Sequence, residues 1–178
     1  MADDNLRGSS GDDDFVNNTG EDLRGRGGDD TILGLGGDDR IFGDKGNDRV
    51  GGGEGEDTVY GGEGDDKVNG GKGGDFLAGG SGDDVLKGGL QDDMDLFFFD
   101  QNFGSDTIKE WEIYDFLVFE DGNDPTTVRE VGNDVVIRTQ DGDTVTILDA
   151  NRADVEDRIF ENYSDVIGNY FLTAPLTM

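Results

Sequence analysis

Aspartate recurs every nine residues through the first half of the chain, with one interval shortened to eight. The series is Asp13, Asp22, Asp30, Asp39, Asp48, Asp57, Asp66, Asp75, Asp84 and Asp93. Glycines surround each of them. Residues 52–69, "GGEGEDTVYGGEGDDKVN", are two units of Gly-Gly-x-Gly-x-Asp-x-apolar-x laid end to end. A carboxylate offers only oxygen, and glycine reaches backbone angles that let carbonyls converge on one point. Such hard donors suit Ca²⁺, which takes about six to eight oxygens in flexible geometry, better than Mg²⁺ with its strict octahedron. Zinc and copper prefer nitrogen and sulfur ligands, and the chain has no histidine and no cysteine.

The composition agrees. The 178 residues suit one domain or two small ones. Against 43 acidic residues stand 14 basic ones, a net charge of −29, and only 32% of residues are hydrophobic. High charge with little apolar surface is the signature of a chain that cannot offset its own entropy. It repels nucleic acid and anionic membranes; its natural partner is a cation. No disulfide framework can form, and no stretch reaches the roughly 20 apolar residues of a membrane span. The acidic start "MADDNLRG" does not read as a secretory signal. Without His or Cys, no Ser-His-Asp, Cys-His or zinc-hydrolase arrangement is available. No two of the many acids stand out as a glycosidase pair, so the chain does not read as an enzyme.

Stepping in nines from Gly52 keeps register from "GRGGDDTIL" at residue 25 to a decaying "GGLQDDMDL" at 88; after the short unit 17–24, "GSSGDDDFV" from residue 8 restores the pattern, and 27 of the 32 glycines lie between residues 8 and 89. Position eight is apolar: Phe15, Ile32, Ile41, Val50, Val59, Val68, Leu77 and Leu86. A short strand centred there points that side chain inward, and the glycine run turns the chain. Strand and turn in alternation predict a coil of stacked short strands; in such a coil with two units per turn, each acidic loop stacks on the loop two units away. Only a cation between loops turns that repulsion into attraction.

These units resemble the glycine-rich repeats of RTX proteins, hemolysin-type sequences that form a right-handed parallel β-roll and bind Ca²⁺ in the turns. The resemblance implies an all-β fold, with the roll over residues 1–96. It also implies ligands from the aspartates above and the backbone of Gly28, Gly37, Gly43, Gly46, Gly52, Gly53, Gly55, Gly61, Gly62, Gly64, Gly70, Gly71, Gly73, Gly79, Gly80 and Gly82. In that family one loop gives the carbonyls of positions two and four with Asp six, and the loop two units on gives those of positions one and three with its own Asp. One ion would lie between Gly53, Gly55, Asp57 and Gly70, Lys72, Asp75. Another would lie between Gly62, Gly64, Asp66 and Gly79, Ser81, Asp84. Arg26, Leu35 and Asp44 replace glycine at position two, where a carbonyl suffices. Residues 17–24 are one short, so the pairing of Asp22 with Asp39 is in question. Gln91 and Asp95 break the pattern and mark the end of the roll.

Residues 97–160 are rich in aromatic and β-branched side chains and resemble the β-rich segment that caps such rolls. "VVIRTQDGDTVTIL" reads as a hairpin about Asp141-Gly142, without the ligands of an EF-hand. Phe97, Phe98, Phe99 and Trp111 read as core or cap residues ahead of a ligand-binding aromatic platform. RTX proteins leave Gram-negative cells by type I secretion with an uncleaved C-terminal signal, which residues 161–178 could supply. The resemblance thus implies a secreted calcium module with a type I apparatus as partner. The alternatives are an accessory part of a larger secreted toxin, protease, lipase or polysaccharide-modifying enzyme, with a linked upstream domain, or a cell-surface binding protein.

Overall fold

A computed structural model describes residues 6–160 except 10, 12, 17–19, 21, 90–92 and 121–123. The tail 161–178, read above as a secretion signal, lies outside the described residues. The elements run Leu6–Arg7 (β1), Asp14–Val16 (β2), Asp22–Arg24 (β3), Thr31–Gly36 (β4), Arg40–Lys45 (β5), Arg49–Glu54 (β6), Thr58–Glu63 (β7), Lys67–Lys72 (β8), Phe76–Ser81 (β9) and Val85–Lys87 (β10). They continue with Leu96–Phe99 (β11), Ser105–Lys109 (β12), Phe116–Phe119 (β13), Pro125–Val131 (β14), Asp134–Thr139 (β15), Thr144–Ile147 (β16), the helix Arg152–Glu156 (α1) and Ile159–Phe160 (β17).

Within the repeats each full strand runs from position seven of one unit to position three of the next. Successive strands alternate between two sheets, ordered β1-β3-β5-β7-β9-β11-β13-β17 and β14-β15-β16-β12-β10-β8-β6-β4-β2. Two units therefore make one turn of a parallel coil. Position-eight residues stack in two columns, Ile32-Val50-Val68-Leu86-Ile108 and Leu23-Ile41-Val59-Leu77-Phe97-Leu117. All of them are at most 2% exposed. One apolar residue per nine suffices because the coil is two thin sheets face to face, and each inward side chain meets the opposite column.

The parallel ladders run past residue 96: β11 pairs with β9, β12 with β10, β13 with β11, β16 with β12 and β17 with β13. What changes there is the filling, as Phe97, Phe99, Phe103, Phe116 and Phe119 enter the core. The expected hairpin is β15 and β16, antiparallel about Gly142 at φ 101°. β14 adds to β15, so the last even-sheet turn is an antiparallel meander. Of the aromatic run, Phe97 and Phe99 point inward. Phe98 faces out and continues a ladder of Phe42, Tyr60 and Phe76 along the outer face.

Candidate metal centre

The loop of residues 61–66 shows how glycine sets the geometry. Gly62 and Gly64 have φ of 129° and 132°. A Cβ on them would lie 2.1 Å from the Asp44 carbonyl oxygen and 2.0 Å from that of Gly46. Carbonyls at positions two and four thus point along the stack at the loop two units on. A Cβ on Gly61, at position one, would lie 2.4 Å from its own loop's Asp66 Oδ2 and 2.5 Å from the Gly79 oxygen. The same pair of oxygens crowds Gly25, Gly34 and Gly43, and the loop's own aspartate crowds Gly52, Gly70 and Gly79. Position one must be glycine because oxygens occupy the space of a side chain.

The aspartates Asp30, Asp39, Asp48, Asp57, Asp66, Asp75 and Asp84 are 1–2% exposed. Each Oδ1 from Asp48 to Asp84 accepts the N–H of the aspartate 18 residues earlier, at 2.7–2.8 Å. Oδ2 of Asp48, Asp57, Asp66, Asp75 and Asp84 is buried with no hydrogen-bond partner. A buried, unpartnered carboxylate oxygen is costly. Burial, opposed by the N–H bond and reinforced by neighbouring aspartates, pushes Asp57 and Asp84 up to about 6, Asp66 to about 7 and Asp75 to about 8. A divalent cation relieves all of this at once, and the donors, carboxylates and backbone carbonyls, fit calcium. No group of three or more His, Cys, Asp or Glu side chains that could by itself hold a metal ion is found among the described residues. Any such site is therefore completed by the backbone.

The structure brings Asp57 and Asp75 together, with Gly55 N–H donating to Lys72 O at 2.9 Å, and likewise Asp66 and Asp84, with Gly64 N–H donating to Ser81 O at 2.8 Å. Gly28, Gly37, Gly46, Gly53, Gly71, Gly73, Gly80 and Gly82 all hold positive φ in the turns. Asp13 joins the column, its N–H donating to Asp30 Oδ1 and its own Oδ2 accepting from Ser9. Two positions differ. The missing residue in 17–24 places Asp22 opposite Arg40, at strand position seven, so it does not stand over Asp39. Asp93 accepts from Gly73 N–H at the rim, and Asp95 takes the buried place, accepting from Asp75 N–H 20 residues back. Asp106 and Asp115 extend the two columns. Counting back from the inward Phe97 would have found Asp95.

Position five carries a second ladder. The side chains of Asp29, Asp38, Asn47, Asp65 and Asp83 accept the N–H of position five in the loop two units on.

The RTX calcium-binding nonapeptide repeat matches this chain in four copies, at residues 15–50, 24–59, 46–77 and 60–94. A comparison with curated protein sequences gives no match. Among solved structures, the extracellular lipase LipA from Serratia marcescens is 20% identical with a TM-score of 0.49, over 89% of this chain and 40% of the lipase. The AlgE6R3 subunit from the Azotobacter vinelandii mannuronan C5-epimerase is 21% identical with a TM-score of 0.38, over 85% of this chain and 79% of that one. The chain thus spans less than half the length of the lipase. Nonapeptides wound two to a turn, with glycine turns that set aspartates against carbonyls, account for the match: over residues 15–94 the chain carries RTX calcium-binding nonapeptide repeats.

Proposed function

We propose that this chain is a secreted module that folds on several Ca²⁺ ions in the extracellular medium. Residues 1–96 form the binding roll, 97–160 cap it, and 161–178 carry an uncleaved signal for a type I secretion apparatus. The observation that carries the reading is the column of buried, unpartnered Oδ2 atoms beside position-one glycines. The ligands are the column aspartates with carbonyls of positions one to four, and bound calcium supplies charge neutralisation that lets stacked loops close. Folding free energy then comes from ion binding. Affinity of roughly 10⁻⁴ to 10⁻³ M, as in extracellular modules, keeps the chain open in a low-calcium cytosol and closes it outside. Circular dichroism across a calcium titration tests this: β signal should appear with calcium, and a β-rich spectrum indifferent to excess chelator overturns it.

The same module serves equally as the accessory end of a larger secreted polypeptide, a reading that the chain's 40% share of the lipase length makes worth testing. The mass of the native secreted polypeptide separates the two.

A further inference from the structure

We propose that residues 101–109, "QNFGSDTIK", are a further calcium-binding unit concealed beyond the matched repeats, and that their loop holds one more Ca²⁺ against the loop of Asp84. This rests on the calcium reading above. Gly104 stands at position four, Asp106 at six and Ile108 at eight, and Asn102 takes a left-handed φ of 62° at position two. Spacing conceals the unit, because Asp106 follows Asp84 by 22 residues instead of 18.

The loop-to-loop contacts of the repeats recur here. Asp106 Oδ1 accepts the Asp84 N–H at 3.0 Å, and Ser105 N–H donates to Asp83 Oδ1 at 3.0 Å. Gly82 N–H donates to Phe103 O at 3.3 Å. A Cβ on Gly104 would lie 2.2 Å from Gly82 O, so that carbonyl points at this loop as it does in the repeats. The independent sign of a ligand is the carboxylate itself: Asp106 is 1% exposed and its Oδ2 has no partner, as is true of Asp84. From the next level Asp143 repels Asp106, and its own Oδ2 is also buried without a partner. Asp84, Asp106 and the carbonyls of Gly82 and Phe103 are the oxygen donors at hand. Gln101 is not included, because position one is glycine wherever the repeats crowd oxygens there. The other column ends differently: Asp115 Oδ2 accepts the Glu112 N–H at 2.7 Å, so a hydrogen bond closes it.

Anomalous difference density from crystals of the full chain grown with calcium decides the matter. A peak between Asp84 and Asp106, besides those between repeat loops, is expected. Peaks in the repeats with none at Asp106 overturn the inference and leave the calcium reading standing; no peak anywhere overturns both. In solution, Asp106→Asn should bind one ion fewer by equilibrium dialysis, and an unchanged stoichiometry overturns the inference. A variant binding no calcium counts as a folding failure, and the wild-type density then decides.

Discussion

At the scale of the residue, each loop tolerates little substitution, for different reasons at different positions. Asp66 accepts from Asp48 N–H and its own N–H donates to Asp84 Oδ1, so it belongs to two interloop spaces. Asp66→Asn keeps an acceptor but removes the charge that a cation needs. Its calcium midpoint should rise well above that of Asp65→Asn, whose amide oxygen can still accept the Asp83 N–H. Asp65→Ala loses that bond and should cost about 0.5–1.5 kcal/mol, the usual net worth of one hydrogen bond. Equal midpoints for the two asparagine variants, read by circular dichroism, would place the ligand at the wrong position. Leu35 sits at φ 70° at the position where Gly53, Gly62, Gly71 and Gly80 stand in the loops from residue 52 on, a conformation costing an L-residue about 1–2 kcal/mol. Its side chain is 44% exposed, so little burial is at stake. Allowing about 0.5–1 kcal/mol for the extra freedom of unfolded glycine, Leu35→Gly should stabilise the calcium-loaded chain slightly, visible as a higher Tm. A lower Tm would show that Leu35 contributes packing that outweighs its strain.

At the scale of the element, the stacked loop is a device with opposite responses to protons and to calcium. The buried carboxyls hold protons more tightly in the coil than in the open chain: Asp66 rises from 3.8 to about 7, Asp75 to about 8 and Asp106 to about 9. Groups raised in this way stabilise the metal-free coil below their ordinary value, and lose that contribution as pH climbs from 3.8 through the raised values. Calcium must displace those same protons. With chelator present, β signal should therefore be greater near pH 5 than near pH 7.5, while the calcium midpoint should be higher near pH 5. Both are measurable above the pI of about 4.1, where the chain keeps its net charge. A metal-free spectrum independent of pH would contradict the burial of these groups. The element is also where sequence reading was strongest and then failed. Glycine at positions two and four, aspartate at six and one apolar residue at eight state the period and the inward column directly, while the two-unit turn is seen in the alternation of strands between two sheets. Loop length is what hides the rest: the short unit 17–24 takes Asp22 out of the column, and the long intervals before Asp95 and Asp106 move the buried aspartate off the nine-residue grid. Strand pairing, which the grid does not see, restores it, because a one-residue slip would turn Leu23 or Phe97 out of the core.

At the scale of the whole molecule, the change of composition near residue 96 marks a change of filling within continuous sheets. The repeats offer one Val, Ile or Leu per strand, and a stack of such turns leaves an apolar open end that repeat arrays must cap. Strands β11, β12 and β13, with the turn between β11 and β12 that carries Phe103, continue both ladders and bring in Phe97, Phe99, Phe103, Phe116 and Phe119, all at most 2% exposed. Fully burying one such ring is worth about 1.5–3 kcal/mol, and five of them gather here where each repeat strand buries one apolar residue. Ordering should therefore begin in this aromatic end and pass, with calcium, toward the N-terminus. Trp111 is the only tryptophan and reports on it, since it packs on this core 6.2 Å from Phe97. Its emission should shift to the blue as calcium is added. A chain ending at Leu96 keeps the repeat loops but leaves β10 without β12 and most of β9 without β11. It should need far more calcium to fold, or fail to fold at all. Folding at the same calcium concentration as the whole chain would mean that the repeats nucleate by themselves and that the aromatic end is carried along passively.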